Sequence, residues 1–506
     1  MAERSCKVLM VSSEAVPFAK TGGLADVAGA LPRELANLGH QVRLVIPRYG
    51  TIGDRYGFRE WKRIEVPGPA GPVPAVIERS VMPGCDVPVL AIRHDHYFNR
   101  AGLYGEAGSD YPDNLDRFAF FCQAVMELVP LLSRGEGEGG EADGGGWTPD
   151  LLHAHDWQTA LVPVYRRTLY AGQPALAKLR SLFTVHNMGY QGLFPASAYP
   201  KTGLGWEWFT PQWLEFYGQL NLLKGGLVSA DWLTTVSPTY SREIQTAELG
   251  FGLEGVVLER RDRVVGIVNG IDVDQWNPAT DPHLPARYSP RDLSGKRTCK
   301  EALQREMSLP VRDVPLVGIV SRLSWQKGLD LLAEALPALM NRDLQLVLLG
   351  TGEPALEAQF RALRDRFPKQ LGLRIGFDEG LAHRIEAGAD LFLMPSRYEP
   401  CGLTQLASLR YGTVPVVRRT GGLADTVVPY GAGTGSEGPA TGFQFQDATP
   451  DSLREAVELA LLVYADRDRW LKLIRAGMET DVSWAKSARA YAGLYRRMLE
   501  GKPRDG

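Results

Sequence analysis

Short apolar runs alternate with longer stretches of helical period along most of this chain, and that alternation constrains the fold more than any other feature. The first forty-seven residues set the pattern. KVLMVSSE (7–14) has the length and composition of a buried strand, a Gly-containing loop follows, GLADVAGALPRELANLG repeats with helical period, and QVRLVIP is a second apolar run. Gly39 stands where a helix end favours a left-handed residue. Strand, loop, helix and strand make a βαβ unit, and hence a parallel sheet.

The pattern recurs. DLLHAHD (150–156) and RSLFTVHN (180–187) flank the helical WQTALVPVYRRTLYAG. In the later half, PLVGIVSRL (315–323), LQLVLLGTG (344–352), LRIGF (373–377), ADLFLMPSR (389–397) and TVPVVRR (413–419) are separated by helical stretches. A chain of 506 residues exceeds one ordinary core. The expected class is α/β, with two doubly wound units joined near VNGIDVDQWNPATDP (268–282), where Asn-Gly and Asn-Pro signal turns. The expected domains are 1–267, 268–482 and a terminal helix over 483–506 packing back on the first domain.

Composition narrows the function. With 44% hydrophobic and 23% charged residues the chain reads as a soluble globular protein, and a net charge of −3 argues against nucleic-acid partners. Five scattered cysteines without a CxxC pair point to a reducing compartment. The N-terminus makes a poor signal peptide, and no apolar run reaches membrane-spanning length. A cytoplasmic location is expected. RGEGEGGEADGGG (134–146) is Gly-rich, but its four carboxylates would repel a phosphate, so it reads as a surface insertion.

Several stretches could carry chemistry. GTGEPA (350–355) imitates a dinucleotide fingerprint but is not on a first strand, so a tight strand-to-helix turn is the preferred reading. KTGGLADV (20–27) and RTGGLADTV (419–427) repeat one phrase, each with two glycines leading into a helix and able to let a ligand approach the backbone. Arg322 and Lys327, in SRLSWQKGLD, follow a strand and so point toward the ligand crevice of an α/β sheet. In PSRYEPCGLTQ, Glu399 lies on a loop and CGLTQ opens a helix whose N–H groups and Thr404 hydroxyl suit phosphate oxygens. A unit-charge pair at ~4 Å is worth about 4 kcal/mol in a partly screened site, against about 0.3–1 kcal/mol for a helix end, so cations would dominate anion binding.

His153 and His155, at i and i+2 on one strand face, raise a metal site, but no third ligand is evident. Asp156 and His186 fall at strand ends, where a satisfied core histidine is the bland alternative for His186. Trp206, Trp208 and Trp213 in GWEWFTPQWLEFYGQ read as aromatic core, with sugar stacking as the alternative.

Taken in order, SSEAVPFAKTGGLADV, HAHDWQ, FTVHN, TTVSPTY, NGID, SRLSWQKG, PSRYEPCGLTQ and RRTGGLADTV resemble the ADP-glucose-dependent glycogen and starch synthases, from about residue 7 to about residue 495. The resemblance implies a GT-B fold, two Rossmann-like domains facing across a deep cleft. It implies retaining transfer of glucose from ADP-glucose to the non-reducing end of an α-1,4-glucan, without metal or other cofactor. Lys20, with Gly22 and Gly23, is then expected on the donor, and Arg322 and Lys327 on the leaving diphosphate. Glu399 is expected on glucose hydroxyls, and His186 and Asp156 around glucose and acceptor. Further donor contacts are expected from Asn187, Asn269, Gly402, Leu403 and Thr404, with Phe377 against adenine.

Many related transferases carry a second glutamate eight positions after the first; here that position is Ala407. Three alternatives remain: a same-fold transferase using UDP-glucose or another acceptor, a phosphorylase-like enzyme needing a pyridoxal-phosphate lysine, and a non-catalytic glucan binder.

Overall fold

The computed structural model describes residues 5–106, 108–134, 146–176, 178–431 and 439–501, so most of the acidic insertion lies outside the described residues. The chain forms two compact units. Met1–Val236, Ser241–Ile267 and Trp484–Gly506 make the first, and Ser237–Tyr240 with Val268–Ser483 the second.

The first unit is built on β1 (Lys7–Val11), β2 (Gln41–Pro47), β3 (Arg59–Val66), β4 (Val73–Val81), β5 (Pro88–Arg93), β6 (Leu151–His155) and β7 (Arg180–Val185). After a small antiparallel sheet of β8 (Leu193–Pro195), β9 (Glu215–Phe216) and β10 (Gln219–Asn221) come β11 (Trp232–Thr235) and β12 (Val264–Gly266). The main sheet runs β12-β11-β7-β6-β1-β2-β5-β4-β3. Its central pairs are parallel, while β3, β4 and β5 pair antiparallel at one edge. The apolar run of β1 is covered on both faces, with Val8 to Val11 fully buried, as a central parallel strand requires. The edge strand β3, REWKRIEV, keeps its charges in water, which protects a free edge from further pairing.

The second unit carries β13 (Leu316–Val320), β14 (Gln345–Gly350), β15 (Leu371–Ile375), β16 (Leu391–Met394), β17 (Val414–Arg418) and β18 (Phe443–Phe445), ordered β15-β14-β13-β16-β17-β18 and parallel throughout.

Each sheet reverses its winding once. The chain goes from β1 outward through β2, then returns to β6 on the other side. In the second unit it goes from β13 through β14 and β15, then returns to β16. Ligands of such sheets bind beyond the carboxyl ends of the two strands flanking the reversal. Those ends lead into residues 12–14 and 156 in the first unit, and 321–327 and 395–399 in the second.

Three further helices matter for the site: α1 (Gly23–Asn37), α2 (Thr404–Arg410) and α3 (Gly421–Thr426). The last, α4 (Trp484–Glu500), buries Trp484, Ala488, Tyr491, Ala492, Tyr495 and Met498, a stripe of helical spacing, and packs on α1. Its Tyr495 hydroxyl lies 2.8 Å from His153 Nδ1 under the centre of the sheet.

Among the described residues, no helix is long and apolar enough to cross a membrane, and the five cysteines are unpaired.

Candidate active site

In the second unit the loops after β13 and β16 are stitched together. The Arg397 amide donates to the Gln326 carbonyl at 2.9 Å, and the Arg397 guanidinium grips Asp330 at 2.6 and 2.7 Å. The stitching brings Lys327 Nζ to 2.5 Å from Glu399 Oε2, to which Ser396 Oγ also donates at 3.0 Å. Arg322 is exposed at the mouth of the same loop. A buried carboxylate with one cation and one hydroxyl keeps acceptor capacity for a sugar hydroxyl, and two cations on one loop suit an anion.

The neighbouring loop supplies Cys401, whose sulfur accepts from the Asn269 amide at 3.4 Å. The Asn269 Oδ1 is buried without a hydrogen-bond partner among the described residues, and so is Gln405 Oε1. Unsatisfied buried acceptors in one corner are a reason to expect a donor from outside. Ser237 Oγ fixes the loop from beneath by donating to the Pro400 carbonyl at 2.7 Å.

The second TGGLAD copy does not offer a ligand-facing turn. An added Cβ on Gly421 (φ 44°) would sit 2.0 Å from the Glu399 carbonyl oxygen, and the Gly422 amide donates to that oxygen at 3.1 Å. This copy is a close-packed buttress behind Glu399. The first copy is different: an added Cβ on Gly22 meets nothing within 4 Å.

The first copy is held by a carboxylate that the sequence reading did not single out. Glu14, buried at the end of the β1 segment, accepts from the Thr21 amide, from Thr21 Oγ1 at 2.6 Å, from the Gly22 amide at 3.2 Å and from the Tyr104 hydroxyl at 2.6 Å. The amides of Thr21 and Gly22 are thus engaged, and Gly23 opens α1 beyond them. Lys20 projects outward and pairs with Asp26 at 2.7 Å. That pair is largely exposed, and such pairs are weak enough to exchange for a better anion.

Across the reversal, Asp156 follows β6 with φ 58° and ψ 178°, a region essentially reserved for glycine. The strain is stabilised by its neighbours: the Asp156 amide donates to the Thr184 carbonyl at 2.9 Å, and Oδ1 accepts from the His186 amide at 2.7 Å. Burial pushes the Asp156 carboxyl up to about 7, with the Glu14 charge adding to the effect and the amides of His186 and Asn187 opposing it. His186 Nε2 lies 3.0 Å from His155 Nδ1. Burial drives both imidazoles well below their usual range, His186 to about 3, so they form a neutral pair.

His155 Nε2 has no hydrogen-bond partner among the described residues. A proton on His155 Nδ1 leaves a bare lone pair there instead of an orphaned donor, and lets His186 present Nδ1–H. The suggested metal pair is otherwise engaged: His153 bonds Tyr495 and Thr184, while His155 faces His186.

The other expected residues are spread over these loops. Asn187 Oδ1 closes a turn by accepting from the Gly189 amide at 2.9 Å. Phe377, after β15, is 90% exposed and has a free ring face to offer. Gly402 and Leu403 precede α2, but the Thr404 hydroxyl is turned toward Met394 Sδ at 3.4 Å, away from the phosphate role expected of it. Glu14, Tyr104, Ser237 and Ser396 are the residues the sequence reading missed, and His155, weighed there only as a metal ligand, is the partner of His186. The signal for Glu14 was its place directly after a first-strand apolar run.

Known proteins match the chain along its length. Residues 7–259 match the family model described as the starch synthase catalytic domain, and 301–475 that of glycosyl transferases group 1. Glycogen synthase of Anaeromyxobacter dehalogenans (strain 2CP-C) is 50% identical over 97% of this chain and 99% of its own. Glycogen synthase 2 of Geobacter sulfurreducens is 48% identical over 97% and 98%. The catalytic domain of starch synthase IV from Arabidopsis thaliana, solved bound to ADP and acarbose, superposes with a TM-score of 0.86 at 35% identity, covering 98% of this chain and all of that one. With these matches and two α/β sheets of the expected winding, parallel at their centres, the chain belongs to the glycogen synthase family of two-domain GT-B glycosyltransferases.

Proposed function

We propose that this protein is a cytoplasmic, retaining glucosyltransferase that moves glucose from ADP-glucose to the non-reducing end of an α-1,4-glucan. The observation that carries the reading is the Lys327–Glu399 pair at the winding reversal of the second sheet, with Arg322 exposed on the same loop. A cation held by a carboxylate answers a diphosphate on one side and sugar hydroxyls on the other.

In this reading Arg322 and Lys327 stabilise the departing diphosphate, aided by amides near Gly402, Leu403 and Thr404. Glu399 and Asn269 accept from or donate to glucose hydroxyls. Phe377 stacks on adenine. From the first unit, Lys20, Gly22 and Gly23 add donor contacts, and Asp156, His186 and Asn187 surround glucose and the acceptor.

The C1–O bond to phosphate breaks with oxocarbenium character while the acceptor 4-hydroxyl forms the new C1–O bond on the same face. Its proton passes to the leaving phosphate oxygen. In this reading no metal or other cofactor takes part, and Arg322 and Lys327 meet the charge that grows on the diphosphate; one such donor is worth roughly 10²–10³ in rate.

The test mixes purified protein and glycogen with labelled ADP-glucose or UDP-glucose, with and without EDTA. Labelling of glucan from ADP-glucose that survives EDTA is expected. Labelling from UDP-glucose alone would move the donor, loss of activity in EDTA would restore a metal, and no labelling from either would overturn the reading.

A further inference from the structure

Two aromatic side chains stand where the backbone resists them. Tyr217 (φ 48°) and Gly218 (φ 76°) form the two-residue loop of the β9–β10 hairpin, in which Phe216 pairs with Gln219. Phe251 (φ 52°) and Gly252 (φ 83°) form the centre of a second turn, closed by the Leu253 amide donating to the Gly250 carbonyl at 2.9 Å. Turns with two successive positive φ values favour Asn, Asp or Gly at the first position, and a bulky residue there is strained. Burial does little to offset that strain at Tyr217, which is 82% exposed, and Phe251 keeps 37% of its surface in water.

The two turns meet. An added Cβ on Gly252 would lie 2.8 Å from the Phe216 ring and 3.8 Å from that of Tyr217. A third exposed aromatic, Tyr190, sits on the loop that leaves β7 through His186 and Asn187. Its neighbour Gln191 donates to the Phe251 carbonyl at 3.0 Å and accepts from Asn221 Nδ2, at the end of β10, at 2.7 Å. The candidate site is therefore continuous with both strained turns.

We propose that Tyr190, Tyr217 and Phe251 form a platform for an α-1,4-glucan chain, engaging sugars several units back from the end being extended. The proposal rests on the glucan acceptor of the preceding section and adds where its chain runs. The chemistry fits a neutral polymer. Aromatic faces cover the C–H faces of pyranose rings, while polar groups at the edges reach hydroxyls. The stretch EFYGQ, read from sequence as part of an aromatic core, turns its Tyr217, Gly218 and Gln219 to the surface.

The test uses the intact protein and the variants Tyr217→Asn, Phe251→Asn and their double, since Asn tolerates the left-handed backbone. Tyr217→Phe and Phe251→Tyr retain the rings. Maltoheptaose binding is measured by calorimetry without any sugar nucleotide, and kcat/KM is compared for maltoheptaose and maltotriose. The double Asn variant is expected to bind maltoheptaose about tenfold more weakly and to lose its preference for the longer acceptor, with the aromatic exchanges restoring both. Wild-type protein that fails to bind maltoheptaose, or a double variant that binds it as wild type does, overturns the platform. Binding that depends on the rings in a protein without glucosyl transfer would keep the platform and remove the transferase reading.

Discussion

Lys327 and Glu399 come from loops that leave neighbouring strands of the second sheet, and they close at 2.5 Å with side chains only 19% and 8% exposed. Removing one member leaves the other charge in a dry place. Lys327→Met is expected to cost about 2–4 kcal/mol of stability, and adding Glu399→Gln to recover part of it. Glucan synthesis should fall roughly 10²-fold or more wherever Lys327 is lost. Urea unfolding and initial rates with ADP-glucose check both halves. A Lys327→Met protein with normal stability and turnover would remove the pair from the account.

Asp156 predicts a pH dependence with a definite sign. Its carboxyl is pushed up to about 7 in the folded chain, while the unfolded chain holds it near the ordinary value of about 4. Between those values the folded state holds the proton more tightly, so its stability contribution is present at acid pH and is lost as pH rises toward 7. Asp156→Asn keeps an acceptor for the His186 amide and removes the charge. It should match wild type near pH 4 and exceed it by about 1–3 kcal/mol at pH 8, although glucosyl transfer drops. Thermal unfolding of both proteins across that range gives the comparison; parallel curves would count against a raised carboxyl.

The twin glycine phrases separate under alanine substitution. Gly421→Ala drives a Cβ into the Glu399 carbonyl and is expected to cost about 2–4 kcal/mol. Gly22→Ala meets open space and should stay within about 0.5 kcal/mol of wild type, so any loss of activity there reflects the ligand. Unfolding midpoints decide, and equal losses at the two sites would contradict the packing described.

Glu14 should act through the loop it holds. Glu14→Ala frees the Thr21 and Gly22 amides, and hydrogen exchange at both is expected to quicken at least tenfold, with a higher KM for the sugar nucleotide. Unchanged exchange would mean that the loop keeps its shape without the carboxylate.

The central parallel strands were legible because a strand covered on both faces must be written as an apolar run: KVLMV, LVGIV and LFLM need no context. β3 was not, because an edge strand can carry REWKRIEV and resemble a loop. Asp156 directly follows such a run and Glu399 lies on the loop after another, so both could be singled out. Their partners could not: Glu14 meets Tyr104 across ninety residues, and Ser237 meets Pro400 across more than one hundred and sixty. Of the tryptophans in GWEWFTPQW, Trp208 and Trp213 pack on each other half-buried, while Trp206 misled, because ring-rich composition alone does not state which face meets water. Positive φ at Tyr217 and Phe251 was also invisible, since each shows only as an aromatic followed by glycine.

The two TGGLAD phrases follow β1 in one sheet and β17 in the other, steps that do not correspond when the sheets are wound in the same order. A tandem copying event that preserved register would have put the second phrase after β13, where SRLSWQKG stands instead. The likeness of spelling is therefore no guide to shared ancestry between those loops. It also divides the demands on the two phrases: every newly made chain must accommodate Gly421 in order to fold, whereas the open space beside Gly22 would let folding proceed with a larger residue there.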